Sequence, residues 1–142
     1  CDIFLDNNFT KEEMKLTWET HKILDPNIQV QATCVRVPVF NGHSEAVFFR
    51  VSKEISREEI IKILDRTPGL KVLDDPSSGD YPTPFENATD TEDVYVGRIR
   101  SQSLDDDCWI SMWIVADNVY GKGAALNAVQ ICEELLNVGS VK

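Results

Sequence analysis

Basic residues are scarce in this chain. Its 142 residues carry 14 lysines and arginines against 24 acids, a formal charge of −10. That balance argues against a nucleic-acid partner, which needs a Lys/Arg field facing the phosphates. No apolar run approaches the length that spans a bilayer, so no membrane partner is expected. There is no Cys-x-x-Cys pair: Cys1, Cys34, Cys108 and Cys132 are far apart. The last three lie in apolar patterns and read as small buried hydrophobes, which fits a reduced, cytoplasmic setting. Asn87-Ala88-Thr89 spells a glycosylation sequon, but no secretion signal accompanies it and it is discounted. Internal repeats, low-complexity tracts and an initiating Met are also missing; the opening Cys-Asp-Ile-Phe-Leu reads as a piece cut from something longer.

What is present fits a single α+β domain over residues 1–142. Thr10 and Glu13 form a capping box, which predicts a helix from Lys11 to Leu24, stopped by Asp25-Pro26-Asn27. On it, Glu12, Lys15 and Glu19 fall on one stripe, which by itself reads as an exposed ion-pair ladder. His21 reads as an ordinary helix residue. Two strands are expected next, Val30 to Phe40 and Glu45 to Val51, joined through Asn41-Gly42. Apolar residues at both parities of the first predict a strand covered on both faces. Ser56 and Glu59 cap a second helix carrying Ile60, Ile61, Ile63 and Leu64. A short strand Leu70 to Leu73 precedes a long Pro/Ser/Gly/Asp loop from Asp74 to Pro84, of the kind that is mobile or serves as a lid or interface arm. Asp74-Asp75 and Asp105-Asp106-Asp107 read as solvated loops. Strands at Val94 to Arg100 and Cys108 to Ala116 and a last helix from Gly123 to Leu136 complete the pattern.

Arg36 to His43 is the richest stretch. It places a guanidinium and an imidazole at opposite ends of an expected buried strand and its turn. A buried arginine needs an anion, either a ligand carboxylate or a structural Glu. The imidazole moves protons near neutral pH, although a histidine after Asn-Gly is more often a plain turn residue. The two positions have opposite parity, so a bend at Pro38 or at Asn41-Gly42 is needed to face them to one cavity.

An ordered set of segments carries a family resemblance: Phe9-Thr10-x-Glu12-Glu13-x-Lys15, Glu19-Thr20-x-Lys22-Ile23-Leu24, Cys34-Val35-Arg36-Val37-Pro38-Val39 with His43-Ser44-Glu45, Val96-Gly97-Arg98-Ile99-Arg100, Asp117-Asn118, and Gly123-Ala124-Ala125-Leu126-Asn127-Ala128-Val129-Gln130-Ile131. Together they closely resemble the C-terminal part of aspartate-semialdehyde dehydrogenases. The resemblance implies a mixed β-sheet with helices packed on it, like the C-terminal domain of the glyceraldehyde-3-phosphate dehydrogenase-like family. It also implies the dimerisation and substrate-binding part of a homodimeric or homotetrameric enzyme, with the last helix, about 123–137, packing on an NADP-binding domain.

The reaction so implied is the NADP-dependent, reversible conversion of L-aspartate-4-semialdehyde and phosphate to L-4-aspartyl phosphate, in lysine, threonine, methionine and diaminopimelate biosynthesis. By matching position, His43 is the acid/base, Arg36 binds the substrate carboxylate, Glu12 its ammonium and Lys15 the phosphate. Asn118 touches NADP. In that scheme a thiolate attacks the aldehyde, a hydride leaves to NADP and phosphate cleaves the acyl-enzyme. None of the four cysteines stands in the nucleophile's sequence context, so the fragment alone is expected to be inactive.

Two departures from the family pattern stand out. Four residues, Val119 to Lys122, separate Asp-Asn from Gly-Ala-Ala where three are usual, and His21 replaces a common arginine, read as a surface change. The Gly121-x-Gly123 pair is too weak for a phosphate loop; its small residues fit close packing on a neighbouring domain. Two other readings stay open. One is a non-catalytic dimerisation module. The other is an N-acetyl-gamma-glutamyl-phosphate reductase-like enzyme, whose substrate has no free ammonium for Glu12 to meet.

Overall fold

The structure is a computed structural model that describes residues 2–105, 107–121 and 124–137. It divides into two compact units, Cys1–Pro38 and Val39–Lys142.

The first unit is built on helix α1 (Lys11–Ile23). Its start follows from the capping box: Thr10 Oγ1 accepts from the Glu13 amide at 3.2 Å, and Glu13 Oε2 accepts from the Thr10 amide at 2.7 Å. These reciprocal bonds satisfy two donors that a helix start leaves open. Past the helix end, Asp25 Oδ1 accepts from the Asn27 amide at 2.7 Å and turns the chain back. No residue of α1 is buried. The strand expected from Val30 to Phe40 does not form, and Val35 is 70% exposed. A two-faced apolar strand requires pairing along its edges and a layer on each face. Among the described residues it has neither.

The second unit is a four-stranded mixed sheet in the order β1-β4-β3-β2, with β1 at His43–Val51, β2 at Leu70–Val72, β3 at Val94–Leu104 and β4 at Asp107–Ala116. Pairing is antiparallel except for β2 beside β3. The expected class, a mixed sheet with helices packed on it, is the one observed. Helix α2 (Arg57–Asp65), capped by Ser56 and Glu59 as its sequence predicts, covers one face. Ile60 meets Val96, Ile99 and Ile110 there, with Phe49, Met112 and Leu64 packed around them. The opposite face is covered at one end by the segment leading into helix α3 (Pro84–Asn87). There Pro82, Ala88 and Val115 are fully buried, and Trp113 Nε1 donates to the Pro82 carbonyl at 2.9 Å. Gly97 makes room for this cover, since a Cβ would stand 2.5 Å from Pro82 Cδ.

Asp74 is not a solvated loop residue. Its side chain is 4% exposed and pairs with Arg57 Nη2 at 2.8 Å. It also accepts from the amides of Arg98 and Ile99, at 2.8 and 3.0 Å. Those amides lie in a β3 irregularity between Gly97 and Arg100, where Arg98 has φ 54°. A carboxylate with three donors is the satisfied form in which a charge tolerates burial. The loop it opens is anchored too, because Asp75 and Asp80 exchange backbone bonds and Pro82 is buried. Asn87 of the discounted sequon spends its side-chain oxygen on the Thr83 amide, at 2.8 Å.

Helix α4 (Ala125–Asn137) has no buried residue, and Cys132, expected inside, is exposed on it. No helix is long and apolar enough to cross a membrane among the described residues.

Candidate functional site

Three of the five expected site residues belong to the first unit. Glu12 and Lys15 lie one turn apart on α1, where Lys15 Nζ donates to Glu12 Oε2 at 3.2 Å. Both side chains are open to solvent, at 43% for Lys15 and 51% for Glu12. The bond to Glu12 raises the Lys15 pKa, so the ammonium is charged throughout the neutral range. Such an exposed pair adds little to stability and yields readily to a ligand ion that offers better partners.

Arg36 follows a chain that returns along α1. His21 Nε2 donates to the Ile28 carbonyl at 2.7 Å near the C-terminal end of α1. Glu13 Oε1 accepts from the Cys34 amide at 2.8 Å near its start. The chain from Ile28 to Cys34 therefore runs back along the helix and ties Cys34, two residues before Arg36, to its first turn. His21 is thus a brace, not the plain helix or surface residue that spacing implied. Arg36 itself is exposed, which corrects the expectation of a buried guanidinium. With no sheet around Cys34 to Phe40, no burial demands a partner for it. The Glu13 carboxylate, holding two backbone amides, has its pKa lowered by Thr10 first and Cys34 second.

His43 and Asn118 belong to the second unit and lie at one end of its sheet. His43 opens β1 opposite Ala116, the last residue of β4, and Asn118 follows two residues later. Gly42 precedes His43 with φ 93°, where a Cβ would collide with Ala88, so only glycine makes this entry to the strand. His43 is exposed and Asn118 half-buried.

The loop carrying Asn118 is fixed by Asp117, which is 3% exposed. Its Oδ1 accepts from the amides of Val119 and Tyr120 at 2.8 and 2.9 Å, and its Oδ2 from the Asp90 amide at 3.0 Å. Burial alone would raise this carboxyl's pKa, but the amides of Tyr120, Val119, Asp90 and Gly121 outweigh it and the pKa is lowered. Gly121 lies against Thr91 and Asp117 carbonyls of its own unit, 2.6 and 2.8 Å from where a Cβ would stand. Its smallness therefore serves packing within the chain. Gly123, expected to pack on a neighbouring domain, lies outside the described residues.

Asp74, Arg57, Asp117 and the second bond of Glu13 escaped sequence reasoning. For Asp117 a signal existed, because an Asp at a strand end ahead of a turn often takes following amides. For Asp74, adjacency to Asp75 hid one structural acid within an exposed pair.

Comparison with known proteins returns one consistent answer. Residues 2–120 match the family described as "Semialdehyde dehydrogenase, dimerisation domain". An aspartate-semialdehyde dehydrogenase of Aquifex aeolicus is 48% identical over 141 residues, covering 99% of this chain and 41% of that protein. One from Legionella pneumophila is 50% identical, covering 94% and 38%. The solved aspartate semialdehyde dehydrogenase II of Vibrio cholerae, complexed with ASA, superposes with a TM-score of 0.87 at 46% identity, over 96% of this chain and 40% of that one. The chain thus spans about two-fifths of the length of the relatives it matches.

Proposed function

Because the chain belongs to the semialdehyde dehydrogenase dimerisation-domain family, we propose that it is the recognition and proton-transfer part of an NADP-dependent aspartate-semialdehyde dehydrogenase. The observation that supports this reading is the bond from the Cys34 amide to Glu13, which ties the chain two residues before Arg36 to the residue next to Glu12. A small substrate with a carboxylate, an ammonium and an aldehyde needs an anion and a cation at separate fixed points. Arg36 offers a planar fork for the carboxylate, and Glu12 accepts from the ammonium once it exchanges Lys15 for the ligand. Lys15, so released, is a point charge suited to phosphate. His43 takes the proton from the nucleophile and returns it as the reaction proceeds.

NADP, when bound, supplies the hydride acceptor. Asn118 is the residue of this chain that meets it, since a half-buried amide offers both a donor and an acceptor to a polar cofactor. The exposed apolar side of α4 that carries Val129 and Leu136 packs on the nucleotide-binding domain in this reading. The substrate pathway leads to lysine, threonine, methionine and diaminopimelate, in the cytoplasm, a reducing setting that suits the undisulfided Cys108.

Self-association has its own support. Phe48 on β1 is 64% exposed and Trp109 on β4 is 40% exposed, both on the sheet face away from α2. An apolar sheet face of that kind suits a second copy of the protein. It complements the catalytic reading: association orders the part that recognises substrate.

The deciding assay follows phosphate-dependent NADP reduction by the full-length protein that carries this sequence. L-Aspartate-4-semialdehyde is expected to turn over far faster than N-acetyl-L-glutamate-5-semialdehyde. Equal rates would remove the role of Glu12, and no turnover of either would leave the dimerisation module.

A further inference from the structure

One carboxylate in the first unit does more than its capping box requires. The cap uses Glu13 Oε2 on the Thr10 amide and Thr10 Oγ1 on the Glu13 amide. Glu13 Oε1 is not needed for that, yet it accepts from the Cys34 amide at 2.8 Å, across 21 residues of sequence. Arg36 lies two residues beyond Cys34, so at most about 7 Å of chain separates it from the fixed amide. Glu12 is the residue immediately before Glu13.

We propose that Glu13 is a positioning residue that sets the distance between the carboxylate-binding Arg36 and the ammonium-binding Glu12. The inference rests on the roles proposed above for those two groups. Its physical content is a tether. Without it, the segment after Ile28 loses its tie to the start of α1, and Arg36 samples a wider volume. A two-point clamp on a small zwitterion gains affinity only if both points stand at the right spacing, and a shift of about 1 Å costs heavily. Glutamate suits the task because each of its two oxygens accepts from a different amide at once. Glutamine keeps the shape and one acceptor oxygen, and its amide nitrogen cannot replace the other.

The test uses the full-length enzyme carrying this sequence. Glu13→Gln is expected to raise KM for L-aspartate-4-semialdehyde roughly tenfold, the effect of losing a charge-assisted bond, with kcat within about threefold. Exchange of the Cys34 amide with solvent should speed up in the same variant. Thr10→Ala removes the hydroxyl half of the cap and leaves both Glu13 bonds, so it should move melting temperature while KM stays within about twofold. If Glu13→Gln behaves like Thr10→Ala, lowering melting temperature with KM unmoved, Glu13 is a cap and the proposal is overturned. Arg36→Lys and Glu12→Gln separate the two levels. Should both leave KM unchanged, the recognition reading itself falls; should both raise it while Glu13→Gln does not, only the tether falls. If Glu13→Gln does not accumulate, exchange in the unmutated protein decides, a protected Cys34 amide upholding the tether and an unprotected one overturning it.

Discussion

The two units hold themselves together by different means. In Val39–Lys142 a sheet buries Ile99, Ile110 and Val115, and its buried carboxylates Asp74 and Asp117 are each satisfied by several donors. In Cys1–Pro38 helix α1 buries nothing, Leu16 and Trp18 face solvent, and the fold rests on a capping box, a Phe4–Thr10 bridge and a few side-chain ties to the backbone. Three of the five proposed site residues belong to the less self-sufficient unit. The proposed recognition groups, held by a few polar ties, can adjust to a ligand, whereas a packed sheet keeps the proposed proton-transfer residue in place. The contrast also says where stability and where affinity should be sensitive to substitution.

The sharpest way to break the contrast is Asp74→Ala, which strands the amides of Arg98 and Ile99 and leaves Arg57 without its partner. Denaturant unfolding of the 142-residue chain should show a loss of about 3–5 kcal/mol, the scale for breaking a buried ion pair from one side. A loss no larger than that of a surface change would mean the brace is ornamental.

Asp117→Asn comes next, at about 2 kcal/mol, because a buried carboxylate serving several amides becomes an amide that serves fewer. This group also sets a pH dependence. Its folded pKa is lowered, so its contribution is fully present above the unfolded carboxylate value of about 3.9 and fades as pH falls through the lower folded value. The unfolding midpoint followed from pH 6 downward should therefore fall less steeply in Asp117→Asn than in the unmutated chain. Parallel curves would remove Asp117 from the account.

The smallest effect should come from the first unit. Leu16→Ala in the 142-residue chain should change stability by less than about 0.5 kcal/mol, since Leu16 is 45% exposed. The same substitution in the full-length enzyme should cost more if that unit takes its apolar cover from elsewhere. Equal small effects in both would show that the helix face stays wet.

Which parts were legible in the sequence follows the same division. Both capping boxes were readable and correct, because a cap is written within four residues. The strands β1, β3 and β4 were readable from their β-branched and aromatic content, although β3 extends to Leu104 and an unforeseen α3 follows the Asp74 loop. The Val30 to Phe40 strand failed because periodicity reports a tendency to be covered, and no layer among the described residues covers it. Asp74 was opaque because its partners lie 17 to 25 residues away, on elements whose approach only the fold reveals, and for Asp117 only the bond from the Asp90 amide, 27 residues away, was hidden in that way. The pairing of Glu12 with Lys15 was legible from helical spacing, while their proposed roles came only from the family resemblance. The return of the chain to the first turn of α1 at Cys34 was not legible, since it depends on the two ties from His21 and Glu13.

Steady-state kinetics of His43→Ala in the full-length enzyme test the central claim most directly. His43 is exposed at the start of an edge strand, so its loss should leave melting temperature nearly unchanged. Turnover of L-aspartate-4-semialdehyde should fall roughly 10²–10⁴-fold, the contribution of a positioned acid/base. Undiminished turnover in a well-folded variant would contradict the assignment of proton transfer to this chain.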